Sequence, residues 1–208
     1  MSKKGKTTAQ PVVDASNKSS SPLSFSFKGI SKMEEFTDEE PRTAPSARSP
    51  KASQILNQID GSPKYRTNAI RLNNNTLSDI GNFGEVVEQL LSQPSALSWI
   101  DLSFNSLATI DEVLLQYPNV TVLYLHANSI TKLSEVDKLA KLEKLKSLTL
   151  HGNPIESAKG YREYVLSILP QLKTFDFSGV TKSDRARATS WKQIYGNKPH
   201  SKKKLNET

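Results

Sequence analysis

The chain has 208 residues, of which 36% are hydrophobic, against roughly 45–50% in a typical globular protein. It contains no cysteine, which excludes disulfides, thiolate metal sites and cysteine nucleophiles. No run of 18 apolar residues occurs, and the basic N-terminus has no apolar stretch behind it. The sequence therefore predicts neither a membrane span nor a secretory signal, and we expect a cytoplasmic protein.

The net charge of +7 is unevenly distributed along the chain. Residues 67–177 carry 9 basic and 12 acidic side chains, whereas residues 178–208 carry 8 basic and 2 acidic ones. A nucleic-acid-binding domain usually places its excess of positive charge on the folded face. The distribution argues against nucleic acid as the main partner, although the basic tail at residues 197–208 could touch phosphates.

The first 52 residues are rich in serine, proline and lysine, a composition that predicts a flexible arm. Within it, Leu23, Phe25 and Phe27 alternate with serines, as in a strand with one apolar face. We expect these three side chains to contact a partner, by pairing with a strand edge or by lying in a groove.

The middle of the chain, residues 66–177, is periodic. The pattern L-x-x-L-x-L-x-x-N-x-L occurs four times in whole or nearly so, and a degenerate fifth copy contains Leu172, Phe175 and Phe177. The four pattern asparagines lie 30, 23 and 25 residues apart, close to the roughly 20–29 residues of leucine-rich repeats. They are Asn75, Asn105, Asn128 and Asn153.

This repeat predicts an α/β leucine-rich-repeat solenoid of four to five repeats with a parallel concave sheet. The L-x-L pairs should face the core from short strands, and the asparagines should satisfy the backbone of the turns that follow. Outer helical returns are indicated at residues 86–91, 112–115 and 135–142.

Such a solenoid needs covers at both ends. Residues 53–65 predict a short helical N-terminal cap, with Ile55, Leu56 and Ile59 over the first repeat. A helix from Tyr161 should lead to the last strand, and residues 181–184 resemble a capping box that opens a second helix within a C-terminal cap at 178–196.

Residues that could carry chemistry are few. His126 and His151 follow the L-x-L of consecutive repeats, so they should lie about 5 Å apart on adjacent strands. The neighbouring repeats offer only Ser103 and Ser178 at that position, so a third metal ligand is missing. No phosphate loop or Gly-x-Ser-x-Gly motif occurs. The sequence predicts no enzyme, no cofactor and no metal site.

The side chains that point away from the core on the concave sheet are the candidates for partner binding. Their aromatic character is typical of interaction hot spots, and Arg71 and Asp101 could form an ion pair beside them. Phe104 either belongs to this surface or turns inward as core. The predicted partner-binding residues are Arg71, Trp99, Asp101, Phe104, Tyr124, His126, Thr149 and His151.

Several blocks of the sequence resemble a known family. The ending at residues 161–176 resembles the SDS22-like class of leucine-rich-repeat proteins with its C-terminal cap. Residues 39–43, 72–75, 99–105, 150–154 and 174–182 together resemble the leucine-rich repeat-containing protein 51 family. That resemblance implies a small cytoplasmic repeat protein without catalytic activity and linked to cilia. It supplies no active-site residues.

The sequence thus predicts a non-enzymatic scaffold or adaptor in a ciliary, axonemal or cytoplasmic assembly. The alternative is a phosphatase-regulatory or ribonucleoprotein-associated subunit, because the SDS22-like class includes a nuclear phosphatase regulator and a spliceosomal protein as well as an axonemal dynein light chain. Partner identity and oligomeric state are left open.

Overall fold

The computed structural model describes residues 21–42, 53–56 and 63–195. In chain order the strands are β1 (Leu23–Ser24), β2 (Ser53–Leu56), β3 (Pro63–Arg66), β4 (Ala69–Arg71), β5 (Trp99–Asp101), β6 (Val122–Tyr124), β7 (Ser147–Thr149), β8 (Thr174–Phe175) and β9 (Ser178–Gly179). One sheet has the order β1-β4-β5-β6-β7-β8-β9, and β2 and β3 form a separate antiparallel pair. The large sheet is parallel from β1 to β8.

The sheet follows from the L-x-L pattern. The first apolar residue of each pair lies in register with its counterparts on the neighbouring strands, and all of them are fully buried. A parallel sheet of this kind is stable only when its apolar side is covered. The predicted leucine-rich-repeat solenoid is confirmed. The in-register residues are Ile70, Ile100, Leu123, Leu148 and Phe175.

The outer side consists of short helices that return the chain to the next strand. In the first full repeat this element is α1 (Phe83–Leu90), whose residues Phe83, Val86, Val87 and Leu90 are buried. The later repeats use 3-10 turns at Glu112–Gln116 and Leu133–Lys141. The three predicted helical returns are present, and the later two are tighter than α-helices.

The repeat asparagines form a ladder along the solenoid. Nδ2 of Asn128 donates to the carbonyls of Leu102 and Leu125, and its Oδ1 accepts the amide hydrogen of Leu107 at 3.0 Å. The other three repeat the pattern. Each therefore satisfies backbone groups of its own repeat and of the preceding one, which agrees with the structural role expected for Asn75, Asn105, Asn128 and Asn153.

The prediction that residues 1–52 are a flexible arm is wrong for residues 21–42. β1 pairs in parallel with β4, and Leu23 and Phe25 are buried in the core. A 3-10 turn at Met33–Thr37 packs Met33 and Phe36 beside them. The physical reason is that the first full repeat would otherwise expose the apolar end of the solenoid, and this segment covers it.

Residues 21–30 complete the asparagine ladder at its beginning. The carbonyl of Phe25 accepts a hydrogen bond from Nδ2 of Asn75, and Oδ1 of Asn75 accepts the amide hydrogens of Lys28 and Ile30. In the later repeats these backbone roles belong to the second L-x-L residue and to the residue two positions after the asparagine. The segment is thus a divergent first half-repeat.

The prediction of a helical cap at residues 53–65 is also wrong for the part of it that the structure describes, residues 53–56 and 63–65. Ser53–Leu56 is a strand that pairs antiparallel with Pro63–Arg66, so Ile55 and Leu56 belong to β2, while Ile59 lies outside the described residues. A short apolar run fits helix and strand equally well by spacing alone. Here β3 provides the backbone hydrogen-bonding partner for β2, so the run forms a strand.

The C-terminal end is closed by two packed helices, α2 (Tyr161–Ile168) and α3 (Lys182–Tyr195). The capping box is present: Oγ1 of Thr181 accepts the Asp184 amide hydrogen, and the Asp184 carboxylate accepts that of Thr181. Arg162 of α2 donates two hydrogen bonds to the same carboxylate, both at 3.2 Å. These contacts hold the pKa of Asp184 well below its usual value of 3.8.

Candidate functional site

The concave face carries six ring side chains in mutual contact, which we call the aromatic cluster. Trp99 on β5 meets Tyr124 on β6 edge-on, with ring centroids 6.1 Å apart. The contacts continue through edge-on pairs, which is the favoured geometry for aromatic rings. The cluster consists of Trp99, Phe104, Tyr124, His126, His151 and Phe177.

Two stacked imidazoles lie at the centre of the cluster. The rings of His126 and His151 are 4.7 Å apart and almost parallel, at 8°. Nδ1 of His126 shares a hydrogen bond of 2.8 Å with Oγ1 of Thr149, and Nδ1 of His151 lies 3.4 Å from Oδ1 of Asp176. The predicted neighbourhood of the two histidines is therefore correct.

The environment favours a neutral His126. Burial, and secondly the adjacent His151, lower the pKa of His126 from its usual value of 6.5, although Asp101 and Asp176 act in the opposite direction. Both carboxylates are already engaged. Asp101 accepts from the amide and hydroxyl of Ser103, and Asp176 accepts from Tyr161 and from the amides of Leu150 and His151.

The repeat pattern predicts Phe177 in the core of the fifth repeat, but the structure places this residue on the surface. Its side chain is 64% exposed, and its ring lies 5.5–5.6 Å from Tyr124, His126 and His151. The reason is a tight reversal between β8 and β9, in which Asp176 and Phe177 both have positive φ. The chain turns back before a further inward position is reached, so Phe175 is the last core aromatic of the sheet.

A row of left-handed residues marks the rim where the strands end. Corresponding positions in successive repeats have φ between 53° and 71°, and two of these positions hold phenylalanine. This conformation suits glycine and asparagine, but it costs a bulky L-residue about 1–2 kcal/mol. The rim residues are Phe27, Asn74, Phe104, Ala127 and Gly152.

Phe104 resolves the alternative left open by the sequence. It is 50% exposed, so it belongs to the concave surface rather than to the core, and its ring meets His126 edge-on at 5.2 Å. Phe104 and Phe177 therefore flank the imidazole pair, and both are exposed aromatics in a strained backbone conformation.

Two other predicted binding residues are covered. Thr149 has no exposed surface, because it lies beneath the imidazole pair, and Asp101 is 4% exposed. Asp101 nevertheless forms the predicted ion pair, with its Oδ2 3.5 Å from Nε of Arg71. Thr149 and Asp101 support the face from below, and neither is available as a direct contact.

The three residues predicted as arm contacts, Leu23, Phe25 and Phe27, also include both buried and exposed side chains. Leu23 and Phe25 are core residues of this chain, so they cannot bind a partner while the segment is docked. Phe27 is 63% exposed, and its carbonyl accepts a hydrogen bond from Arg42, whose guanidinium lies 5.7 Å from the ring centroid. Only Phe27 of this group is a surface residue.

The described residues contain no group of three or more histidine, aspartate or glutamate side chains placed to hold a metal ion. In the same part of the chain, no helix is long and apolar enough to cross a bilayer.

The solenoid, its asparagine ladder and its capped ends define a leucine-rich-repeat protein, and the leucine-rich-repeat family profile matches residues 61–204. A rat protein, leucine-rich repeat-containing protein 51, is 54% identical over 173 residues, which cover 83% of this chain and 85% of the relative. The chain belongs to the leucine-rich repeat-containing protein 51 family, as the sequence blocks indicated.

More distant similarities lie outside this family. The U2 small nuclear ribonucleoprotein A′ of Saccharomyces cerevisiae is 34% identical over 114 residues, covering 54% of this chain and 48% of the relative. A chain in the crystal structure of the Drosophila melanogaster SNF/U2A′ complex has a TM-score of 0.55 at 24% identity, with 70% of this chain and 89% of that chain covered. The similarity to this second protein is one of fold alone.

Proposed function

We propose that the protein is a non-enzymatic adaptor that binds a protein partner through the aromatic cluster of its concave face. Leucine-rich-repeat solenoids present extended concave surfaces for binding. The observation that carries the proposal is the pair of exposed phenylalanines, Phe104 and Phe177, held in left-handed conformations beside the imidazole pair.

The backbone conformation supports a functional rather than a structural role for these two residues. A phenylalanine that is half exposed or more gains only part of its possible burial in the isolated chain, and positive φ makes it more costly than asparagine or glycine at the same position. Strained residues of this kind tend to cluster at sites of function. A partner that covers both rings would supply the burial that the free protein lacks.

The ends of the described sheet are covered by the chain itself, which directs binding to the concave face. At one end the amide of Arg42 donates to the carbonyl of Ser24 in β1, at 2.7 Å. At the other end β9 folds back onto β8. Strand addition by a partner would have to displace these segments first, whereas the concave face is open.

The setting of this adaptor is a ciliary, axonemal or cytoplasmic assembly. This part of the proposal depends on the resemblance to the leucine-rich repeat-containing protein 51 family.

The test is affinity capture from ciliated-cell extract, with the full chain as bait and mass spectrometry as the readout. The variant replaces Phe104→Asn and Phe177→Gly, which removes both rings and gives the left-handed positions residues that tolerate them. We expect at least a tenfold loss of specific partners. The free energy of unfolding should stay within about 1 kcal/mol of wild type, because the relief of strain offsets the lost ring contacts.

The matched control is Ile194→Asn on α3, which removes a 59% exposed apolar side chain that is not part of the aromatic cluster. Capture should be unaffected by this change. Wild-type levels of every partner with the double variant would show that the aromatic cluster is not the binding surface.

The alternative is a subunit of a ribonucleoprotein or phosphatase assembly, and the yeast U2 small nuclear ribonucleoprotein A′ relative supports the first of these. The same experiment separates the settings. Splicing or phosphatase components among the proteins lost with the double variant would favour this alternative, while axonemal components would favour the ciliary adaptor.

A further inference from the structure

The stacked imidazole pair lies where a bound partner would exclude water. His126 is 9% exposed in the free chain and is flanked by the rings of Phe104 and Phe177, while the His151 side chain remains 36% exposed. A partner that covers the two phenylalanines would also cover His151, whose ring contacts Phe177 at 5.5 Å. Partner binding therefore removes the remaining solvent from both imidazoles.

A charge on both rings of this pair at once would be poorly compensated. Two imidazolium rings at 4.7 Å would repel each other, and desolvation disfavours even one charged ring. The charged and titratable groups packed around the pair are Arg71, Asp101, Tyr124, Tyr161 and Asp176.

Both carboxylates in that group already hold other groups, and Asp176, whose Oδ1 lies 3.4 Å from Nδ1 of His151, is the one that would pair with that ring if it were charged. Asp101 is paired with Arg71 and bonded to Ser103. Asp176 holds the turn between β8 and β9 through Tyr161 and two backbone amides. Burial, and secondly the Asp176 carboxylate, raise the pKa of Tyr161 far above its usual value of 10, so this group remains a neutral donor throughout the relevant pH range.

We propose that the partner binds only when His126 and His151 are both neutral, so that mild acidification releases it. This inference rests on the proposed function of the concave face and adds its regulation. Each proton that must leave an imidazole before binding weakens the apparent affinity by up to about tenfold for every pH unit below the pKa of that ring. The concave face would then act as a pH-sensitive contact.

The free protein provides the first test. Histidine ring signals of the full chain are followed by NMR from pH 8 to pH 5, with His126→Asn and His151→Asn variants for assignment. The expected result is a His126 midpoint below the ordinary histidine value that rises when His151 is replaced, because one of the two causes of the lowered pKa is then removed. A His126 midpoint that does not change when His151 is replaced would show that the two imidazoles do not titrate as a coupled pair, and would overturn the proposal.

The second test repeats the capture from ciliated-cell extract at pH 7.5 and pH 5.5. The bait is either wild type or the double variant His126→Asn and His151→Asn, whose side chains stay neutral. We expect wild type to lose its partners about tenfold or more at pH 5.5. The neutral double variant lacks two side chains of the binding surface and should capture less at pH 7.5, but the ratio of its capture at the two pH values should be close to one. The double variant also controls for titration of groups on the partner.

The outcomes separate this inference from the proposed function. Equal capture by wild type at both pH values, with the dependence on Phe104 and Phe177 intact, would overturn the regulation and leave the binding face in place. An equal acid-induced loss with wild type and with the neutral double variant would assign the pH effect to other groups and would also overturn it. Capture independent of Phe104 and Phe177 at pH 7.5 would overturn both.

Discussion

Asn128 joins two consecutive strand–turn units through one primary amide. Its two donors reach the carbonyls of Leu102 and Leu125, and its acceptor takes the amide hydrogen of Leu107. The side chain is 7% exposed, so water cannot replace these partners. At the scale of single residues, the solenoid is held by groups of this kind as much as by leucine packing, because a buried backbone group without a partner is costly.

Replacing Asn128→Ala should lower the free energy of unfolding by about 2–4 kcal/mol, since one amide hydrogen and two carbonyls lose their partner. Asn128→Asp should cost at least as much, because a carboxylate would face two carbonyl oxygens. Urea unfolding followed by circular dichroism provides the measurement. Exposed Asn68→Ala is the control and should change stability by less than about 0.5 kcal/mol. A loss below that size for Asn128→Ala would show that the ladder contributes little.

The segment from Leu23 to Phe36 is the element whose structure differs most from the sequence-based prediction, because it packs against the solenoid instead of forming a flexible arm. Phe25 has no exposed surface and meets Phe36 edge-on at 5.4 Å, beneath the first full repeat. The same segment carries Phe27 on the rim, 63% exposed. One element thus combines a structural cover with a surface aromatic, two residues apart in the sequence.

Phe25→Ala should destabilise the fold by about 3–5 kcal/mol, the usual cost of removing a buried phenylalanine. Phe27→Asn should leave stability within about 1 kcal/mol of wild type, because this residue is exposed and has φ of 58°. The free energies of unfolding of the two variants are measured by thermal and urea unfolding. Equal stability of both variants would mean that residues 21–42 are not an integral part of the solenoid.

How much of each element could be predicted follows from its periodicity. The repeats from β4 to β8 were predictable because four copies of one pattern specify both the sheet and the asparagine ladder. The first half-repeat carries the same apolar spacing, with Leu23, Phe25 and Ile30 matching Ile70, Leu72 and Leu77. Lys28 stands where the asparagine should be. Asn75 bonds the backbone of both copies. Because the first copy has no asparagine of its own, the sequence pattern does not reveal it as a repeat.

The candidate site was only partly predictable for a different reason. The aromatic cluster around Tyr124 and His126 follows from strand register, which the repeat pattern gives directly. The surface position of Phe177 depends on a tight reversal at Asp176 and Phe177, and such turns usually carry asparagine or glycine at these positions. The burial of Thr149 depends on side-chain stacking across strands, which spacing does not reveal.

On the scale of the whole molecule, a solenoid is stabilised by contacts between neighbouring repeats, so its ends determine whether the array holds together. At the C-terminal end this task falls to the packing of α2 against α3. Trp191 of α3 contacts Tyr164 of α2 edge-on at 5.3 Å and also lies against Gly160. Gly160 has φ of 75°, and a Cβ there would be 2.7 Å from the Trp191 indole nitrogen. The packing of the helix pair therefore leaves no room for a side chain at position 160.

Asp184→Asn should weaken this end at neutral pH, by about 1–3 kcal/mol, because the carboxylate receives hydrogen bonds from Arg162 and Thr181. The pKa of Asp184 in the folded chain lies below its usual value of 3.8. On acidification the unfolded chain therefore takes up the proton first, and the stability present above about pH 4 is lost as the pH falls through the folded value. Wild type should lose more stability between pH 7 and pH 3 than Asp184→Asn does, as measured by urea unfolding.

Exposed Asp79→Asn is the control, and its stability should depend on pH as that of wild type does. If the stability of Asp184→Asn did so as well, the closure of this end would depend on helix packing alone.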